Sequence, residues 1–320
     1  MPSIQFQSLS IDLREKESVL DALLRNDIPV SHSCRAGSCG SCLMRAVEGV
    51  VPARAQAGLK ESWKARGYFL PCVCTPDSDL TIDAVDAESR VPATITQVEG
   101  LSPTILKVRL RTEAPFEYRA GQYVSIVRED GLARSYSIAS LPDEQELEFH
   151  VRLIAGGRMS SWLAGAQLGT RVQLIGPSGE CFYVHGRPDQ PMVLIGTGTG
   201  LAPLYGIARD ALQGGHRAPI QLFHGAVRPD GLYLRNELSR LSGMHSNFTY
   251  TPTVLEGDGS DTIALGPIGQ VVAKQFSKLH GWRGFVCGDP ALVHSLKKQI
   301  FLSGIASRDI HADAFLPSMS

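Results

Sequence analysis

The sequence has 320 residues, of which 43% are hydrophobic and 20% are charged, and its formal net charge is −1. This length predicts two or three domains, and the near-zero charge argues against a general nucleic-acid binder, which needs a basic excess. No run approaches the roughly 18 apolar residues of a membrane-spanning helix, and residues 1–10 lack a signal-peptide profile. We therefore expect a cytoplasmic protein that binds neither nucleic acid nor membrane.

The N-terminal part, which we place at residues 1–88, has the pattern of a compact α+β domain. Apolar spacing over 19–24 predicts a short helix, and a loop rich in Gly, Ser and Cys follows over 31–41. Strands are predicted over 4–7, 43–47 and 80–85.

Cysteine spacing is the most informative feature of this domain. Of seven cysteines, four form the pattern C-x4-C-x2-C followed by a more distant fourth: Cys34, Cys39, Cys42 and Cys72. This is the spacing of a plant-type [2Fe–2S] site. We predict positive φ at Gly37 and Gly40, which lets backbone N–H groups approach the sulfurs.

Two alternatives remain open for these cysteines. A four-cysteine zinc site would need a second C-x2-C pair, and Cys72 and Cys74 are too close together to supply it. Cys74 is expected to be a buried bystander, and the alternative is that it replaces Cys72 as a ligand.

Residues 92–186 form a series of short predicted strands separated by Gly and Pro, which indicates a small antiparallel barrel. The predicted strands cover 105–110, 123–127, 147–153 and 171–175.

Two motifs in this barrel indicate a flavin site. Arg134-Ser135-Tyr136-Ser137 offers a cation, a ring to cover a flavin face and a hydroxyl for a ring nitrogen. The Gly pair at 156–157 leads into a Ser-rich helix start, which favours a pyrophosphate. For the first motif alone, the alternative is a surface Arg beside a half-buried Tyr.

Strands and helices alternate in the last part, residues 190–320. Strands are predicted over 192–195, 220–223, 248–251 and 284–287, and helices over 201–212, 232–241, 271–279 and 291–302. This alternation predicts a doubly wound parallel sheet. Gly196-Thr197-Gly198-Thr199-Gly200 follows a buried strand and opens a helix with an early Pro203, as a dinucleotide-phosphate loop does. Cys287-Gly288-Asp289-Pro290 ends a later strand, where a nicotinamide ring can rest. The structural alternatives are a plain strand–turn–helix and a buried Cys before a helix cap.

Taken in order, these motifs resemble one family over essentially the whole chain. They are similar to the NADH-dependent reductase components of bacterial multicomponent (Rieske or di-iron) oxygenases, in the ferredoxin–NADP reductase superfamily with an N-terminal plant-type ferredoxin domain. The matching segments begin at Cys34, Arg134, Gly156, Gly196, Cys287 and Ala312. One departure is Ala120 before Gly-Gln-Tyr, where the family often has Pro.

The resemblance implies a β-grasp-like ferredoxin domain, a six-stranded antiparallel barrel that binds FAD and an α/β domain that binds NAD(P)H. It implies Ser137, Cys287 and Phe315 as catalytic residues, with Phe315 shielding the flavin until nicotinamide displaces it. It also implies cofactor contacts from Arg134, Ser135, Tyr136, Ser137, Val151, Gly157, Met159, Ser160, Gly196, Thr197, Gly198, Thr199, Gly200, Pro203, Cys287, Gly288, Asp289 and Phe315.

The implied function is an electron relay. NADH gives two electrons as hydride and a [2Fe–2S] cluster accepts one, so a flavin must stand between them. We expect electrons to pass to a terminal oxygenase or a separate ferredoxin, in aromatic hydrocarbon catabolism. The alternatives are a client such as a deoxysugar dehydratase and a redox-sensing iron–sulfur flavoprotein. FMN is the alternative to FAD. NADPH is the alternative to NADH, because Arg228 follows the second strand where a 2′-phosphate would lie.

Overall fold

A computed structural model describes residues 2–37, 39–59, 61–84, 90–257 and 262–315. Ser38 of the predicted loop, Val85 at the end of a predicted strand and the expected domain boundary at residue 88 lie outside these ranges. The described residues form one five-stranded and two six-stranded sheets.

The first sheet is mixed and carries two helices. Its elements are β1 Ser3–Phe6, β2 Leu9–Asp12, α1 Val19–Arg25, β3 Met44–Glu48, α2 Glu61–Ala65, β4 Tyr68–Phe69 and β5 Leu80–Ala84. The strand order is β2-β1-β5-β3-β4, with β1 and β5 parallel. Helix α1 begins where the Ser18 side chain accepts a hydrogen bond from the Asp21 N–H, and it buries Val19, Leu20 and Leu23. Strand β2 was not predicted. It follows a sharp turn at Gln7, whose positive φ (54°) is unusual for a residue other than glycine and so gives no turn signal in the sequence.

The second sheet is antiparallel and closed. Its elements are β6 Val91–Ser102, β7 Ile105–Thr112, β8 Tyr123–Val127, β9 Ala133–Ser137, β10 Leu147–Arg152, α3 Arg158–Ala164 and β11 Arg171–Ser178. The strand order is β10-β7-β6-β11-β8-β9. A bridge from Ile138 to Phe149 joins the two edges. The antiparallel barrel is therefore confirmed, although β6 was not among the predicted strands and already begins at Val91.

The third sheet is parallel throughout and has apolar cores on both faces. Its elements are β12 Met192–Thr197, α4 Leu201–Gln213, β13 Ile220–Ala226, α5 Arg235–Met244, β14 Phe248–Val254, β15 Ala264–Leu265, α6 Ile268–Gln275, β16 Arg283–Gly288, α7 Pro290–Leu302 and β17 Ile310–Ala314. The order β15-β14-β13-β12-β16-β17 confirms the doubly wound prediction. It also sets a switch point between β12 and β16, the place where such sheets bind ligands.

Two helix predictions in this sheet needed correction. The helix predicted over 232–241 begins only at Arg235, because Leu234 is left-handed (φ 54°). The helix predicted over 271–279 is α6, which ends at Gln275 because Phe276 is extended. None of the helices formed by the described residues is long and apolar enough to cross a membrane.

Candidate active site

A cavity of ≈ 1780 Å³ is lined by residues of all three domains. At one end lie Cys34 and Cys39 of the N-terminal domain, and the middle is formed by β9 and the start of α3. The far end is the carboxyl edge of the parallel sheet. The predicted residues on its wall are Cys34, Cys39, Arg134, Ser135, Tyr136, Ser137, Gly157, Met159, Ser160, Thr197, Gly198, Thr199, Gly288, Asp289 and Phe315.

The four predicted cluster ligands are arranged as two pairs. The Cys39 thiol donates to the Cys34 sulfur, and this raises the pKa of Cys39. The Cys42 thiol donates to the Cys72 sulfur, which raises the pKa of Cys42 and lowers that of Cys72. The described residues hold no group of three or more His, Cys, Asp or Glu side chains placed to bind a single ion. Two pairs of thiols are the donor set that two irons need, so the residues fit a [2Fe–2S] cluster.

The loop around these sulfurs has the predicted backbone. Gly37 and Gly40 take φ of 73° and 71°. The N–H groups of Ala36 and Cys39 donate to the Cys34 sulfur at 3.4 Å. A Cβ on Gly37 would lie 2.9 Å from Val73 Cγ2, so this glycine lets the loop approach the Cys72 segment. These N–H donors supply the hydrogen bonds that tune a cluster potential.

Cys74 lies apart from the sulfur pairs. Its side chain is fully buried in the core of the N-terminal domain, and burial raises the pKa of its thiol to about 12. A protonated thiol in an apolar core is the expected bystander.

Two arginines face the middle of the cavity. Burial lowers the pKa of Arg134, and the neighbouring charge of Arg158 lowers it further. Both side chains line the cavity with Gly156 and Gly157. A bound phosphate would relieve this unfavourable pairing of two cations, so the residues fit the pyrophosphate of FAD. Tyr136 lines the same stretch, with its ring available to a flavin face.

The structure adds Asp313, which the sequence analysis had not assigned a role. The Ser137 hydroxyl donates to Asp313 Oδ2 at 3.1 Å, across 176 residues of sequence. Desolvation raises the pKa of Asp313 to about 6, although the Ser137 hydroxyl opposes the rise. The sequence signal for this residue was its place in the family-matching segment that begins at Ala312. This pair can hold or release a proton next to the predicted flavin position.

The three glycines of the 196–200 loop have different roles. A Cβ on Gly196 would lie 2.7 Å from Leu204 Cδ1, and one on Gly200 would fall on the Cys287 carbonyl. The absence of a side chain at these two glycines therefore lets the loop pack closely against helix α4 and strand β16. Gly198 has φ 52°, open space where its Cβ would be, and a place on the cavity wall. A phosphate can therefore approach the backbone closely at Gly198 and at the flanking Thr197 and Thr199.

Five predicted contact residues lie behind the cavity wall instead of on it: Val151, Gly196, Gly200, Pro203 and Cys287. The Val151 side chain points into the barrel core, and its neighbours His150 and Arg152 line the cavity. This difference follows from strand alternation, which sends adjacent side chains to opposite faces.

Cys287 is covered by a second cysteine. Its sulfur lies 3.5 Å from that of Cys181, a residue the sequence left unassigned, and Cys181 itself lines the cavity. Burial raises the pKa of the Cys287 thiol. The Phe315 N–H donates to the Gly288 carbonyl at 2.8 Å, and this places Phe315 on the wall beside this strand end.

Three family comparisons match successive parts of the chain. The 2Fe-2S iron-sulfur cluster binding domain matches residues 4–77, the oxidoreductase FAD-binding domain matches 92–183 and the oxidoreductase NAD-binding domain matches 194–298. These matches confirm the [2Fe–2S], FAD and NAD predictions.

Curated relatives align over nearly their full length. The ferredoxin–NAD(P)+ reductase component of the naphthalene 1,2-dioxygenase system of Pseudomonas putida is 34% identical, with 94% of each chain covered. The corresponding component of the naphthalene 1,2-dioxygenase/salicylate 5-hydroxylase systems of Ralstonia sp. is 31% identical, with 97% of each covered.

Solved structures of reductases also align with nearly the whole chain. A cytochrome P450 reductase from Amycolatopsis superimposes with a TM-score of 0.72 at 29% identity, covering 99% of each chain. The ferredoxin reductase of carbazole 1,9a-dioxygenase superimposes with a TM-score of 0.68 at 26% identity, covering 98% of each. The chain therefore belongs to the family of ferredoxin–NAD(P)+ reductase components, oxidoreductases that carry electrons from a nicotinamide nucleotide through FAD to a [2Fe–2S] cluster.

Proposed function

We propose that this reductase takes electrons from NADH and delivers them, one at a time, to a terminal oxygenase or to a separate ferredoxin that serves one. Each NADH and two oxidised one-electron acceptors give NAD+, one proton and two reduced acceptors. FAD supplies the change from two-electron to one-electron chemistry, and the chain's residues supply position and electrostatics.

The observation that carries this proposal is the continuity of the cavity. Two cluster ligands, the β9 strand and the nucleotide loop share one wall, so the three redox groups would be neighbours. The matched domains support the same order along the chain, and we propose domain limits of 1–88, 92–186 and 190–320.

The proposed roles follow from the positions of the side chains. Arg134 and Arg158 would hold the FAD phosphates, and Tyr136 would cover the ring. Ser137 would lie at the reactive ring nitrogen, with Asp313 Oδ2 accepting a hydrogen bond from the Ser137 hydroxyl. Phe315 would cover the face that the nicotinamide later occupies.

The nucleotide end supports NADH over NADPH. Asp230 and Arg228 both line this part of the cavity. A carboxylate there would accept hydrogen bonds from ribose hydroxyls and would repel a 2′-phosphate.

The oxygenase client rests on the relatives. Besides the two naphthalene systems, they include the aromatic O-demethylase reductase subunit of Amycolatopsis sp. and a terephthalate 1,2-dioxygenase reductase component of Comamonas sp.. We propose a partner of the same kind, acting on an aromatic compound, in preference to a deoxysugar dehydratase or a sensor.

An anaerobic titration tests the relay. NADH is added to the purified holoprotein while the visible spectrum is followed, then NADPH, with cytochrome c as the final acceptor. We expect flavin and cluster bands to bleach together and NADH to act at lower concentration than NADPH. If the flavin bleaches while the cluster bands stay unchanged, the proposed relay is wrong.

A further inference from the structure

A hydrogen bond joins the N-terminal domain to the barrel at one of the predicted cluster ligands. The Ser125 hydroxyl, on β8, donates to the Cys39 carbonyl oxygen at 2.8 Å. Ser125 is fully buried, so this bond is shielded from water. The contact therefore joins two domains at the residue that the cluster would bind.

A second serine hydroxyl lies beside this hydrogen bond. Ser135 lies opposite Ser125 in the β8–β9 register, and the two hydroxyl oxygens are 3.0 Å apart. Ser125 has one proton, and the shorter bond to Cys39 uses it. Ser135 then donates to Ser125 Oγ at 3.0 Å in preference to the Cys39 carbonyl oxygen, which lies 3.5 Å from the Ser135 hydroxyl. Because Ser135 stands between Arg134 and Tyr136, the cluster loop and the flavin strand share one hydrogen-bonded chain.

The other contacts of this interface explain why the bond matters. Trp63 packs against Val127, Ala133 and Ile175 of the barrel, and the Ser31 hydroxyl donates to the Gly131 carbonyl at 2.9 Å. Apolar packing resists separation but has little directional preference, whereas a buried hydrogen bond fixes an orientation. Among these contacts, the bond from Ser125 is made directly to a cluster ligand.

We propose that Ser125 is a positioning residue of the electron relay, because its hydroxyl holds the Cys39 loop at a fixed distance from the flavin-bearing strand. The inference rests on the proposed relay from FAD to the cluster. Removing the hydroxyl leaves the Cys39 carbonyl with only the longer 3.5 Å contact from Ser135 and lets the loop sample positions farther from β9. Transfer between redox groups depends on their separation, so the step into the cluster slows while chemistry at the flavin does not.

The test compares Ser125→Ala with Ser140→Ala in the full-length holoprotein. Ser140 is an equally buried barrel serine, bonded to Tyr118 and to the Glu148 N–H, and it is therefore a matched loss of one hydroxyl. The first readout is hydrogen–deuterium exchange over residues 31–43. We expect about fivefold faster exchange in Ser125→Ala, the factor for one hydrogen bond of about 1 kcal/mol, and wild-type exchange there in Ser140→Ala.

The second readout separates the two electron-transfer steps. In Ser125→Ala, cytochrome c reduction by NADH should fall severalfold, because the cluster loop is no longer held at a fixed distance from the flavin strand. Ferricyanide reduction at the flavin, the KM for NADH and the paramagnetic resonance spectrum of the reduced cluster should stay unchanged. Exchange and cytochrome c rates equal to those of Ser140→Ala would overturn the proposal. Wild-type protein whose cluster never accepts electrons from NADH would instead refute the proposed function, and the exchange comparison would still report on the contact.

Discussion

The two ends of the cavity differ in how the chain holds them. At the cluster end, Ser125 is completely buried and bonded to Cys39 across the domain boundary. At the nucleotide end, Val227 and Leu255 line the wall yet remain 56% and 51% exposed. The Gly198 backbone there faces open space.

This difference matches how long each ligand stays. A resident cluster is best served by a loop held in advance through buried hydrogen bonds, because the geometry is then fixed before electrons arrive. A nucleotide that binds and dissociates in each cycle needs a binding surface that water can hydrate while the nucleotide is absent. Exposed apolar side chains and free backbone provide such a surface.

The largest effect that we predict is the loss of the cluster after substitution of one of its ligands. Cys72→Ser should lose the cluster's visible absorption and its iron, and NADH-dependent cytochrome c reduction should drop on the order of 100-fold, since a ligand counts at least as much as its supporting shell. Cys74→Ser is the matched control. It should keep the iron and lose only about 1–2 kcal/mol of unfolding free energy by placing a hydroxyl in an apolar core. Iron loss in Cys74→Ser with retention in Cys72→Ser would exchange the two roles.

The second prediction separates the glycines of the nucleotide end. Gly200→Ala places a methyl on the Cys287 carbonyl and should lower the free energy of unfolding by about 3 kcal/mol. Gly198→Ala meets no atom and should cost about 1 kcal/mol for its positive φ, while raising the KM for NADH. Chemical denaturation and steady-state kinetics measure the two effects. Equal losses of stability would mean that both glycines serve packing alone.

The smallest effect concerns protonation in the middle of the cavity. Folding raises the pKa of Asp313 from 3.8 to about 6, so the folded state binds more protons between these values and stability falls as pH rises through them. Asp313→Asn should remove this dependence and gain on the order of 1 kcal/mol at pH 7, a figure discounted for the open cavity.

Asp313 should also shape the rate of flavin reduction. If the ionised Asp313 carboxylate orients the Ser137 hydroxyl, the pH profile of flavin reduction by NADH should bend near pH 6 in the native protein. The profile should be flat there in Asp313→Asn. A bend that survives the substitution would assign the titration to another group. Stopped-flow absorbance gives both profiles.

Much of the architecture was predictable because its signals are local. The cluster ligands were predicted from their spacing, since a loop must bring three sulfurs together within a few residues. The parallel sheet followed from buried runs such as Met192 to Ile195 alternating with helical periodicity. Strands β2, β15 and β17 escaped prediction because they are short or lie at sheet edges, where one face meets solvent and the alternation is weak.

By itself, then, the sequence determined the order of the three domains, the cysteine spacing of a [2Fe–2S] site and the flavin and nucleotide motifs, because each depends on neighbours along the chain. Tertiary structure alone decided the pairs that complete the site. Asp313 meets Ser137 across 176 residues, Cys181 meets Cys287 across 106 and Ser125 meets Cys39 across 86. Each pair depends on how one sheet packs against another and on which face a strand turns inward. Local periodicity carries no information about either.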